Sequence, residues 1–164
     1  MASCEITSLL KFQYGDKKMN DDQKTFIQKC ADELKMVLPD DIEFRTHDGL
    51  ITDDAMEYIF DFLDEVSEQH GITHSNWAIN FPDKTIDLNV VPYPNLRSLH
   101  YDGHWGKNIQ IDFEKAPNYL EIWKACNKMI FDSGDHHHIY IESIDSNDSK
   151  DPLESSSFTF YCGS

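Results

Sequence analysis

TDDAMEYIFDFLDEVSEQHGITHSNWAINF, residues 52–81, contains the change of period that decides the fold. Its first part repeats apolar residues at Met56, Ile59, Phe60, Leu63 and Val66, three and four apart, which is one face of an α-helix. Thr52 is placed to cap that helix, Asp53 and Asp54 complement the positive end of its dipole, and Gly71 closes it. Beyond Gly71 the period falls to two. Trp77, Ile79 and Phe81 alternate, Pro82-Asp83-Lys84 turns, and Ile86, Leu88 and Val90 alternate again, which predicts a hairpin.

The same two periods recur on either side. Ile6, Leu10, Phe12 and Tyr14 share the parity of an opening strand. A helix is predicted from Asn20 to Leu38, with Asn20 and Gln23 as a capping box and Pro39 as its stop. Its apolar stripe is Phe26, Ile27, Cys30, Ala31, Leu34 and Val37. Ile42 to Thr46 reads as a short strand before the Asp48-Gly49 turn. Leu96 to Tyr101 and Asn108 to Phe113 form a second hairpin around residues 102–106. Pro117 suits the first turn of a third helix, which buries Leu120, Trp123, Cys126 and Ile130 and ends at Gly134. His136 to Ile144 and Ser157 to Cys162 are the last strands, joined by a polar loop.

These elements predict an α+β fold: a mostly antiparallel sheet of six to seven short strands with three helices packed on it. The length of 164 residues suits one domain. At 40% hydrophobic and 12% aromatic, the composition is too apolar for a disordered acidic tail. No apolar run approaches the length of a membrane span, and the first residues lack the basic-then-apolar pattern of a signal peptide, so a cytoplasmic protein is expected. Cys4, Cys30, Cys126 and Cys162 include no Cys-x-x-Cys pair, which argues against a zinc ribbon or redox motif.

Charge narrows the function classes. Thirty Asp and Glu against fourteen Lys and Arg give a formal net charge of −16. Between Arg45 and Lys84 no lysine or arginine occurs, while nine acids do. Such a surface repels nucleic acid and anionic lipid and attracts basic surfaces. On the helix after Thr52, Asp54, Glu57, Asp61, Asp64 and Glu68 follow a three–four spacing and form a ridge, flanked by Tyr58 and Phe62 as aromatic anchors. The ridge is about 20 Å long, with carboxylates about 5 Å apart along the axis, near the phosphate interval of a nucleic-acid strand. Unrelieved like charges at that spacing oppose helix formation, and such local conflicts gather at functional sites. The plainer reading is a solvated face that keeps the protein soluble.

A second pattern lies at Gly134-Asp135-His136-His137-His138-Ile139-Tyr140-Ile141-Glu142. On a strand, His136, His138 and Glu142 share a face, a donor set that suits zinc or non-haem iron. The His-x-His-x-x-x-Glu spacing resembles the first metal motif of cupin barrels over seven residues, but no histidine follows His138 to supply the further ligand, and that family is set aside. The plainer reading is a polar sheet face. With Asp132 and Asp135 close by, a pH-sensitive surface is a third. The loop Asp145 to Asp151 looks like a calcium loop but lacks the EF-hand glycine and glutamate. No dinucleotide, phosphate-loop, nucleophile-elbow or His-Glu-x-x-His motif is present.

The sequence thus leads to a small acidic protein-binding module of inhibitor, immunity or anti-defence type, a nucleic-acid mimic. It would dock its carboxylate-rich helix on a partner protein with a basic surface, and use no cofactor, nucleic acid or membrane. The alternative is a small metal-dependent, hydrolase-like enzyme using zinc or iron at His136, His138 and Glu142. A secretion chaperone or assembly adaptor is the third class compatible with the size and acidity.

Overall fold

A computed structural model describes residues 19–77, 83–103, 107–135 and 137–163. In chain order the elements are α1 (Asp21–Glu33), β1 (Lys35–Val37), α2 (Asp53–His70), β2 (Asn76–Trp77), β3 (Thr85–Asp87), β4 (Ser98–Asp102), β5 (Asn108–Asp112), α3 (Tyr119–Ser133), β6 (Tyr140–Ser146) and β7 (Ser157–Gly163). The fold is mixed α+β. It corrects the expectation of one mostly antiparallel sheet: the described residues form two sheets, one of two strands and one of five. The described residues gather into two compact units, residues 19–73 with 83–86, and residues 74–77 with 87–163.

The first unit is built on a helix pair. Asn20 caps α1 through the reciprocal bonds of a capping box, its Oδ1 accepting from Gln23 N at 2.8 Å. The predicted continuation to Leu38 does not occur. Leu34 takes a left-handed conformation, φ 57°, and the chain leaves the helix as β1. In that strand Met36 is buried and Val37 exposed, the reverse of what a continued helix would do. The reason is pairing: β1 lies beside β3, and Leu38 N donates to Lys84 O at 3.0 Å. The Ile86 strand therefore pairs back to β1. Of the expected hairpin, Ile79, Phe81 and the first turn residue Pro82 lie outside the described residues, as does the opening strand Ile6 to Tyr14.

Thr52 caps α2 as expected, with Oγ1 accepting from Ala55 N at 3.1 Å. Its buried stripe is Ala55, Ile59, Phe62, Leu63 and Val66. Met56 and Phe60, placed inside by the sequence reading, are half-buried instead. The helix is turned toward Phe62, which is wholly inaccessible to solvent. Gln23 Nε2 donates to Tyr58 Oη at 3.2 Å, Gln69 Nε2 donates to Asp32 Oδ1 at 3.0 Å, and the Phe26 and Tyr58 rings meet edge to face at 6.1 Å. These contacts fix α2 against α1.

The second unit is the five-stranded sheet, in the order β2-β6-β7-β4-β5, with α3 packed on β4 and β5. Its pairings alternate: β2–β6 and β4–β7 are parallel, β6–β7 and β4–β5 antiparallel. Phe158 and Phe160 of β7 are fully buried, and Tyr101 of β4 stacks on Phe160 at 4.5 Å with the rings 5° from parallel. The α3 cap is Asn118, in a second capping box with Glu121, so Pro117 precedes the helix and does not stand in its first turn as expected. Below it Leu120, Ile122, Trp123, Cys126, Met129 and Ile130 are buried.

The burial of Phe62 makes a direct prediction. Phe62→Ala removes a fully enclosed ring and should lower the free energy of unfolding by about 3–5 kcal/mol. Urea unfolding followed by circular dichroism measures it; a midpoint equal to that of the parent chain would return Phe62 to the surface.

Candidate functional site

The acidic ridge stands on the side of α2 opposite its buried stripe. Asp54, Asp64 and Glu68 are exposed, and Glu57 and Asp61 are half-buried. Among the described residues, no lysine, arginine or histidine lies within ion-pair distance of Asp54, Glu57 or Glu68. The two aromatic residues expected beside the ridge part company. Tyr58 is half-buried, with its hydroxyl and ring engaged by α1. Phe62 is withdrawn into the core and presents nothing to a partner, which corrects its assignment as an anchor. The reason is angular: Phe62 lies within the arc of Ala55, Ile59 and Val66, whereas Tyr58 sits at its border.

The histidine segment is built differently from the strand expected there. Strand β6 begins at Tyr140, so His138 precedes it, and the shared strand face with Glu142 is not formed. His136 lies outside the described residues. Asp135, 1% exposed, organises the segment. Its carboxylate accepts from His137 N at 3.1 Å and His138 N at 3.3 Å, and it meets His138 Nδ1 at 2.9 Å. Burial alone would push this carboxyl up. The hydrogen bonds from His137 and His138, with the His138 ring beside it, outweigh burial and hold it below its ordinary value. Asp132, the other acid expected beside the histidines, instead pairs with Lys128 Nζ at 2.5 Å. Glu142 is exposed on β6, and its carboxylate lies over Gly163 of β7, where any Cβ would overlap it. Among the described residues no three His, Cys, Asp or Glu side chains are grouped as metal ligands.

The remaining reactive groups are quiet. Cys30 and Cys126 are buried and Cys162 partly so. Burial raises all three thiols; for Cys162 the nearby Asp135 and Glu142 add to it and bring the value to about 12. A thiol held that high is protonated at neutral pH and is a poor nucleophile. In the loop after β6, Asp148 accepts from Ser155 Oγ, from Ser156 Oγ at 2.8 Å and from Ser156 N at 3.2 Å. Those hydroxyls lower its carboxyl to about 2 and close the loop on itself, so the stretch that looks like a calcium loop spends this carboxylate on its own serines.

Sequence reasoning missed Asp135 as a buried acceptor. The available signal was an aspartate directly after the helix-ending glycine, positioned to accept from the amides two and three residues on. No family model, curated protein or solved structure matches the chain. No helix among the described residues is long and apolar enough to cross a membrane.

Asp135 yields a pH-dependent prediction. Its folded carboxyl titrates below the unfolded value of about 3.9, so its contribution is full above that value. That contribution is lost as the pH falls through the lower folded value. Asp135→Asn should therefore cost about 1.5–3 kcal/mol at neutral pH, the range for hydrogen bonds to a charged group. The gap to the parent chain should narrow in acid, as the pH falls below the unfolded value of about 3.9. Urea unfolding at neutral and at acid pH tests this, and a gap that persists undiminished in acid would show that the carboxylate charge is not what holds the segment.

Proposed function

We propose that this chain is a small acidic protein-binding module that docks the α2 ridge on a basic surface of a partner protein. The observation that carries the reading is the segregation on α2. Asp54, Glu57, Asp61, Asp64 and Glu68 lie on one side, the buried stripe on the other, and no described cation neutralises Asp54, Glu57 or Glu68. A row of carboxylates about 5 Å apart along a rigid helix presents a fixed line of negative charge. A protein surface shaped to hold a nucleic-acid backbone is the natural complement of such a line. The function is then inhibition or occupation of that surface, as in an inhibitor, an immunity protein or an anti-defence protein. With Phe62 in the core, the ridge works by charge and hydrogen bonding, with Tyr58 at its margin as the remaining aromatic contact.

Binding of this kind is fast at low salt and weakens steeply as salt rises, because opposite fields steer encounter. The test begins with affinity capture from the native host at low and high salt, identifying what elutes by mass spectrometry. The variant Glu57→Lys, Asp61→Lys, Asp64→Lys and Glu68→Lys is then titrated against the captured protein. The association rate should fall about tenfold or more and the salt dependence should flatten. Circular dichroism confirms that the variant is folded. A folded variant that binds with parental affinity and parental salt dependence would overturn the proposal.

A further inference from the structure

Among the described residues, the hydrogen-bond parity of β5 leaves one side of that strand open. Phe113 N donates to Arg97 O at 2.7 Å and Gly103 N to Lys107 O at 3.2 Å. The register pairs Leu99 with Ile111 and Tyr101 with Ile109, so the odd-numbered residues of β5 face β4 with their backbone groups. The backbone N–H and C=O groups of Asn108, Gln110 and Asp112 therefore point away from the sheet. All three residues are exposed, and among the described residues nothing pairs with those backbone groups.

Sheets usually defend such an edge. At the opposite edge, β2 is described over Asn76–Trp77. Strand β5 spans five residues without proline and without a register shift against β4. Its two faces differ. Ile109 and Ile111 are half-buried on one, while Asn108, Gln110 and Asp112 are exposed on the other. Asp102 of β4 pairs with Asn108 and adds a second carboxylate to that outer face.

We propose that β5 accepts an added strand from an extended basic peptide segment that alternates cationic and apolar residues. The cationic side chains would lie over Asp102 and Asp112, and the apolar ones would cover Ile109 and Ile111. The backbone groups of Asn108, Gln110 and Asp112 would supply the ladder, as in other cases of strand addition. A second copy of this chain is the less suitable occupant, because each copy carries a formal charge of −16. The inference rests on the edge alone and is independent of the ridge on α2.

The probe is a short capped peptide alternating lysine and valine, with its glutamate–valine counterpart as control. Amide hydrogen exchange on the full chain is the readout. The lysine peptide should slow exchange at Asn108, Gln110 and Asp112 about tenfold or more, and the glutamate peptide should not. Gln110→Pro removes an outward N–H and spares the β4 ladder, and should weaken the lysine peptide about tenfold or more. Asp112→Lys should weaken it as well. Unchanged exchange at the three amides under saturating lysine peptide overturns the proposal. So does equal protection by the glutamate peptide, or a folded Gln110→Pro chain that binds as the parent does. Protection that grows with protein concentration alone, with a dimer in sedimentation, seats a second copy on the edge and overturns the peptide assignment. Should Gln110→Pro fail to fold, exchange on the parent chain with the two peptides still decides.

Discussion

The second unit depends on the pairing of β7 on both sides. A strand buried on its face must have its backbone groups hydrogen-bonded, because an unmade bond in that setting costs about 1–3 kcal/mol. Strand β7 meets this by running antiparallel to β6 and parallel to β4, with Phe158 and Phe160 buried. Once those two neighbours are fixed, β2 must lie outside β6 and β5 outside β4. The mixed sheet follows, and with it the position of β5 at the edge among the described strands. Tyr101 against Phe160 extends the same contact to side chains and fixes the level at which β4 meets β7.

Local elements were legible in the sequence where caps and period agreed. Thr52 and Gly71 bound α2, and Asn20 with Gln23 starts α1, because capping is decided within a few residues. Pairing was legible in the local β4–β5 hairpin and not between segments far apart in sequence. The segment Lys35–Val37 fits a helical stripe as well as a strand, and only the partner β3 decides between them. Leu34 bears the cost of that decision, since a left-handed conformation disfavours any residue with a Cβ. The position of Ser157 to Cys162 at the centre of a sheet likewise depends on strands far away in sequence.

For the candidate site, the acids were legible and their aromatic neighbours were not. An ionised carboxylate is costly to bury wherever the helix turns, so its placement on the outer side is robust. An aromatic residue at the border of the stripe goes in or out with a small rotation of the helix. The inclusion of Ala55 in the buried arc, a residue too small to announce itself in a hydrophobic pattern, rotates α2 far enough to take Phe62 inside. The histidine segment failed as a strand for a related reason. Asp135 captures the amides of His137 and His138, and a chain turned around a carboxylate cannot be extended at the same residues.

The charge of α2 and the formation of α2 are separable. Like charges three and four apart oppose a helix by a few tenths of a kcal/mol per pair, whereas burying one large apolar side chain favours it by about 1.5–3 kcal/mol. The stripe of Ile59, Phe62, Leu63 and Val66, with the Thr52 cap, therefore suffices to form the helix against the ridge. At the exposed positions Asp54 and Glu68, lysine would relieve the like-charge spacing through i,i+4 pairing. Ridge carboxylates about 5 Å apart also fall within one Debye length of each other, about 8 Å at physiological salt, so a partner meets their fields together. The small cost of the ridge to the helix is consistent with the proposed docking on a basic surface.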